Sequence, residues 1–391
     1  MSNVIFLGMV SFFADVSAEM VYPIIPLYLT SAFGATPAMV GVIEGIAESL
    51  ASLLKVFSGY ITDKYKKKKP IAFIGYATGL IYKVALVFAQ SWLGILGARV
   101  IDRIGKGIRT APRDVMVSES SEGGRIGTAF GIHKALDMAG SALGILIAYL
   151  LLKNSNGNYA YKQIFIISMI PAALSLLMFF KIREKKEERI IQEREPFWKN
   201  VNKLDSQLKL YLFVAFLFTL GNSSNAFLLL RAKSVGFDDT TVILLYFIYN
   251  ITASILAIPA GKRSDKVGRK RSLVVGYIVF TLVYFGFAFV FNKTFMIALF
   301  ILYGVYTALT AGVERAFIAE ISPKELKGTM LGLHSTVVGI ALLPASAIAG
   351  FLWNSFGPKA PFIFGSFMSL VAAFILIIFM NEEKHETKIV S

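Results

Sequence analysis

The sequence predicts an all-α integral membrane protein with twelve transmembrane helices in two six-helix halves. Three observations predict it. The 391 residues are 55% hydrophobic and 17% charged, with a mean hydropathy of +0.64, whereas soluble domains carry about 45–50% apolar and about 25% charged residues. Twelve apolar stretches approach the roughly 20 residues that a helix needs to cross a hydrocarbon core of about 30 Å. Two pairs of matching segments recur at an offset of about 200 residues, as expected of a duplicated half.

Composition also excludes several classes. With no cysteine there is no disulfide framework, thiolate metal site or cysteine nucleophile. The chain shows no H-E-x-x-H, no P-loop and no nucleophile elbow, so neither an enzyme nor ATP-driven transport is expected. A net charge of +15 would suggest nucleic acid in a soluble protein. Here membrane topology accounts for it, and no nucleic-acid partner is expected.

The first stretch, about 4–33, lacks a basic leader segment and carries Asp15 and Glu19 in its middle, so it reads as a retained span. Four residues apart, these two carboxylates share a helical face. The second, about 38–61, repeats that spacing with Glu44 and Glu48 and adds Lys55; the third, about 70–90, holds Lys83, which is expected to snorkel. The fourth, about 92–118, contains Arg99, Asp102, Arg103, Lys106, Arg109 and Arg113. At about 100° per residue they form one ionic stripe roughly 120° wide. The fifth, about 124–153, has His133 and Asp137 on a common face, and the sixth, about 162–180, contains Pro171.

A polar, charge-dense segment, 182–208, separates an N-terminal bundle, 1–181, from a C-terminal one, 209–391. Spans seven to twelve fall at about 209–231, 240–261, 271–291, 294–320, 326–352 and 360–380. Their polar content is mostly neutral. Asn222, Ser223, Ser224 and Asn225 lie in the seventh, Tyr246, Tyr249 and Asn250 in the eighth, and Tyr303, Tyr306 and Thr307 in the tenth beside Glu314 and Arg315. Pro23, Pro26, Pro171, Pro259 and Pro344 are positioned to kink helices.

Charge orients the chain. One set of loops holds Lys64, Lys66, Lys67, Lys68, Lys69, the basic 182–208 segment, and Lys262, Arg263, Lys266, Arg269 and Lys270; the opposite set has few basic residues. The positive-inside rule puts the first set and both termini in the cytoplasm of a multi-pass plasma (inner) membrane protein.

Gly59 to Lys68 and Gly261 to Lys270 both read G-x-x-x-D-K followed by basic residues, with Asp63 and Asp265 as the acids. Gly127 to His133 matches Gly328 to His334. Across essentially the whole chain, the sequence resembles the major facilitator superfamily, whose loop between the second and third helices has this G-x-x-x-D-[RK] signature. Arg99, Gly105 and Gly107 fall where the fourth-helix pattern has its arginine and later glycines, with Asp102 and Arg103 replacing a glutamine and a glycine. Gly140 to Gly144 meets only part of the antiporter pattern, whose proline is missing. The block Asp102 to Asp114 looks like one that recurs in a poorly characterised prokaryotic group.

The resemblance implies secondary transport by alternating access. Ionisable groups within hydrocarbon cost several kcal/mol each, so they default to a protein interior or an aqueous cavity. Depth, counted at about 1.5 Å per residue, places Asp15, Glu19, Glu48, Asp102, Arg103, Lys106 and Asp137 near mid-membrane; with Arg99 they are the expected coupling or substrate cavity. Asn222, Asn225, Tyr249 and Asn250 are the expected substrate contacts. Gly59, Asp63, Gly261, Asp265, Arg269, Arg109, Arg113, Asp114, His133 and His334 form the expected cytoplasmic latch or gate. Such carboxylates can bind and release protons as the cavity alternates. The favoured reading is proton-coupled efflux of a small amphiphilic compound or metal chelate by a monomer in the bilayer, with no cofactor or resident metal. The alternatives are proton-coupled uptake of a small organic anion bound by Arg99, Arg103 and Lys106, and a non-transporting membrane sensor on the same fold.

Overall fold

A computed structural model of the chain describes residues 2–65, 68–120, 126–154, 158–183, 205–290, 292–322 and 327–380. Among these there is no strand, and the helices form twelve membrane-length units, one for each apolar stretch. The first is α1 (Ser2–Val21), a 3-10 turn (Tyr22–Ile24) and α2 (Ile25–Phe33). Then come α3 (Pro37–Tyr65), α4 (Lys68–Phe88), α5 (Trp92–Glu119), α6 (Ile126–Lys153) and α7 (Asn158–Phe179). The seventh unit is shared by α8 (Ser206–Gly221) and α9 (Ala226–Ser234), followed by α10 (Asp239–Val267) and α11 (Arg269–Ala288). The tenth is shared by α12 (Lys293–Thr310) and α13 (Val313–Ile321); α14 (Lys327–Phe356) and α15 (Ala360–Phe379) complete the set.

Three stretches expected as single helices are therefore interrupted. Pro23 and Pro26 each stand in the first turn after a break, where a missing N–H is tolerated. Four consecutive polar residues, Asn222 to Asn225, separate α8 from α9, and the Ser224 hydroxyl accepts from the Ala226 amide at 3.3 Å. Such side-chain bonds compete with the helical ladder. Pro171, Pro259 and Pro344 instead lie inside continuous helices.

Eleven of the units are long and apolar enough to cross a membrane. The remaining one, α5, has the length, with 28 residues, but carries the ionic stripe. Its charged face turns inward, where Arg99, Asp102, Arg103 and Arg109 are buried. Apolar side chains such as Phe88, Ile258, Phe356 and Phe367 are exposed on the outside of the molecule, as hydrocarbon solvent requires.

Helices α1 to α7 pack chiefly on one another, α1 against α6 and α7, and α5 against α3 and α4. Helices α8 to α15 do likewise through α10 with α12 and α11 with α12 and α15. The α1 to α7 seam is clamped by hydroxyls: Ser17 donates to the Ser168 carbonyl at 2.6 Å and Ser175 to that of Val10 at 2.8 Å. Gly140 and Gly144 let α6 approach α1 closely, since a Cβ at either would collide with the carbonyls of Phe12 and Val16. The two sets meet mainly where α3 lies along α14 and α6 along α10. Ser49 donates to the Gly339 carbonyl across the first seam at 2.6 Å, and the Ala38 amide to Asn354 at 3.3 Å. Tyr161 bonds Asp239 between the sets at the end away from the basic loops.

Candidate functional site

A cavity of about 390 Å³ lies between the two sets of helices. Its first wall comes from α1, α3 and α5, and its second from the break between α8 and α9, from α10 and from α12. The walls differ in chemistry. The first is ionic, with Asp15 and Glu19 from α1, Glu48 from α3, and Arg99, Asp102, Arg103, Lys106 and Arg109 from α5. The second is neutral, built of Asn222, Asn225, Tyr246, Tyr249, Tyr303 and Tyr306 with three hydroxyl side chains.

Much of the ionic wall is internally paired. Arg99 Nη2 is 2.5 Å from Glu44 Oε2, with both side chains nearly inaccessible. Arg103 faces Glu48 at 3.2 Å and its neighbour Asp102 at 3.6 Å. Both guanidinium groups lie over the Tyr22 ring, 5.3 and 5.6 Å from its centroid. Arg109 is buried over the Tyr76 ring at 4.6 Å. By contrast, the side chains of Asp15 and Lys106 have no hydrogen bond or ion pair among the described residues, and that of Glu19 meets only the Tyr246 hydroxyl, at 3.4 Å. These three are the open charges of the cavity.

The neutral wall is a row of tyrosine rings. Tyr246 and Tyr249 are 5.5 Å apart, Tyr249 and Tyr303 5.0 Å, and Tyr303 and Tyr306 5.2 Å. Amides fix their hydroxyls: Tyr303 donates to Asn225 Oδ1 at 2.9 Å, and Asn222 Nδ2 donates to Tyr306 at 2.9 Å. The row therefore offers ring faces and edges with their polar ends already engaged.

Seven of the eight expected cavity residues line this space, and Asp137 does not. Its carboxylate sits 3.6 Å from His133 Nδ1, one turn away on α6. On the other wall Asn222, Asn225 and Tyr249 line the cavity, but Asn250 turns back to donate to the Tyr246 carbonyl at 2.9 Å. Lys83 does not snorkel. It is buried beside a void of about 10 Å³ that it shares with Asp102 and Arg109. Tyr22, which no charge or motif marked, reaches the cavity because it follows Glu19 by three residues and so shares its face.

The expected gate residues scatter. Arg109 belongs to the cavity, whereas Arg113 is held by the adjacent Asp114 at 2.8 Å. His133 is buried and bonds Ser11 at 2.9 Å, and Ser11 in turn meets the Tyr76 hydroxyl at 3.0 Å. His334 is likewise buried and stacks on Tyr211, with centroids 6.2 Å apart. Arg269 faces Asp265 at 3.4 Å and Glu320 at 2.9 Å, tying the start of α11 to α10 and α13. Gly261 lies near the end of α10. Gly59 and Asp63 fall on the last turns of α3, outside the described side chains.

Comparison with known proteins bears on this geometry. The family model described as Major Facilitator Superfamily matches residues 7–228 and again 211–391. An uncharacterised MFS-type transporter of Methanocaldococcus jannaschii is 37% identical over 381 residues, which is 96% of this chain and 94% of that one. A multi-drug resistance efflux pump, PmrA of Streptococcus pneumoniae, is 35% identical over 134 residues, 34% of this chain and 33% of the pump. Among solved structures, a variant of the nucleoside transporter NupG superposes with a TM-score of 0.83 at 12% identity, covering 96% of this chain and 99% of its own, a likeness of fold.

Proposed function

Since the chain belongs to the Major Facilitator Superfamily, we propose that it is a proton-coupled secondary transporter that moves a small amphiphilic compound out of the cell by alternating access. The observation carrying this reading is the pair of unpaired carboxylates, Asp15 and Glu19, on the wall of a cavity between two sets of helices. A carboxylate without a fixed counter-ion can exchange a proton for another charge as its surroundings change. The partial likeness to an efflux pump supports the outward direction. Uptake of an organic anion draws less support, because two of its three candidate cations, Arg99 and Arg103, are engaged by Glu44, Glu48 and Asp102.

In this reading the chain acts as a monomer in the plasma membrane with both termini cytoplasmic, and residues 182–208 link the two bundles. Protons and the substrate take turns at Asp15 and Glu19. The amides and phenols opposite grip the substrate, while rearrangement of the α3 to α14 and α6 to α10 seams exposes the cavity to either side.

The test is flux in inside-out and right-side-out vesicles carrying the purified protein, with an imposed pH gradient and a substrate library. Wild type accumulates substrate in inside-out vesicles only when their lumen is acidic, and the Asp15→Asn and Glu19→Gln variants lose that dependence while remaining folded. Undiminished gradient dependence in both variants removes the coupling role. Gradient-driven flux in the opposite sense reverses the direction.

A further inference from the structure

We infer that the transported compound is an organic cation, a protonated or quaternary amine on an aromatic body, seated with its charge against Glu19 and Asp15 and its body on the tyrosine row. This rests on the transporter reading above and goes further, by naming the chemistry of the ligand. Two independent observations carry it.

The first is the balance of open charge. Of the cations lining the cavity, Arg99 and Arg103 are held by carboxylates, and Arg109, which has no carboxylate partner among the described residues, sets its guanidinium over the ring of Tyr76, a residue outside the cavity lining. That leaves Lys106 as the open cation, against two open carboxylates, Asp15 and Glu19. An anionic ligand would meet two like charges and one favourable one. A cationic ligand meets the reverse.

The second is the aromatic wall. Tyr246, Tyr249, Tyr303 and Tyr306 form a continuous series of rings spaced 5.0 to 5.5 Å apart. Glu19 stands at its Tyr246 end, 3.4 Å from that hydroxyl. The face of an aromatic ring carries negative potential and attracts ammonium groups, most strongly where water is excluded. Because amides already engage the Tyr303 and Tyr306 hydroxyls, these rings present π surface more than free polar ends. The cavity of about 390 Å³ suits a ligand of drug-like size.

Calorimetric titration of the purified, detergent-solubilised full chain with four probes sharing one body tests the inference: benzyltrimethylammonium, benzyl alcohol, phenylacetate and phenylalanine. The quaternary cation is expected to bind at least about tenfold more tightly than each of the others. Its affinity should fall at least about tenfold in Glu19→Gln and in Tyr303→Leu, and survive in Tyr303→Phe, which keeps the ring. Tighter binding of phenylacetate or phenylalanine overturns the inference, as does failure of the cation to bind at millimolar concentration, or binding indifferent to both Glu19→Gln and Tyr303→Leu. Flux separates the two readings. Gradient-driven movement of anions alone keeps the transporter and discards the cation, while cation binding without flux keeps the cation site and discards the transporter.

Discussion

Arg99 on α5 closes onto Glu44 on α3 at 2.5 Å, and neither side chain is more than 2% exposed. A guanidinium so enclosed serves the packing of two helices before it serves a ligand. Removing one partner of a buried pair strands the other, at a cost of about 3–5 kcal/mol, whereas replacing both with apolar groups of similar size is often neutral. Glu44→Ala is therefore expected to lower the thermal unfolding midpoint in detergent sharply. The double variant Glu44→Leu, Arg99→Met should recover most of that loss and retain flux. A double variant that is stable but inactive would return Arg99 to the substrate site.

The fold was legible in the sequence because lipid imposes a length and a composition on every spanning helix, and because charges in hydrocarbon must face inward. The stripe on α5 and the pair on α1 were readable for the same reason. Helical periodicity assigns Asp137 and Asn250 to a face of their own helices but does not fix how those helices are rotated against their neighbours. Asp137 meets His133 and Asn250 the Tyr246 carbonyl, each four residues back on its own helix, so both are satisfied locally and neither lines the cavity. Pairing across helices was hidden too. The spacing from Glu44 to Glu48 equals that from Arg99 to Arg103, yet Glu44 lies outside the cavity lining while Glu48 belongs to it.

Ser11 joins two buried groups at once, the Tyr76 hydroxyl and His133 Nε2. Ser11→Ala leaves both without this partner, and a buried polar group that loses its partner costs about 1–3 kcal/mol. The expected result is a lowered unfolding midpoint, with Ser11→Thr closer to wild type. Unchanged stability in Ser11→Ala would mean that the hydroxyl links these groups without holding α1, α4 and α6 together.

Asp238 caps α10 at the end away from the basic loops. Its carboxylate accepts from the Thr241 hydroxyl at 2.5 Å and the Thr241 amide at 3.1 Å. Those bonds, the hydroxyl first, hold its pKa below the ordinary carboxylate value. A depressed folded-state pKa contributes stability that is present above the unfolded value and lost as pH falls through the folded one. Asp238→Ala should thus cost about 1 kcal/mol at neutral pH, with the gap between variant and wild type closing below the usual carboxylate range. An equal gap at pH 7 and in strong acid would contradict the charged cap.

Gly41 lies at a close approach of α3 to α14. A Cβ there would run into the Ser346 carbonyl, and the Phe227 ring would be 3.0 Å away. The same seam carries the Ala38 to Asn354 bond toward its end away from the basic loops and the Ser49 to Gly339 bond nearer its middle. A valine at position 41 cannot be accommodated with the seam closed, because its obstacle is backbone. Gly41→Val should therefore favour forms in which this end is parted. The chain has no native cysteine, so Ser346→Cys, at a position on this seam only 1% exposed while it is closed, supplies a single reporter. Its labelling by a membrane-impermeant maleimide should rise severalfold in the Gly41→Val background, and flux should fall because the seam no longer closes. Equal labelling in both backgrounds, with flux intact, would show that α3 and α14 do not need to meet here.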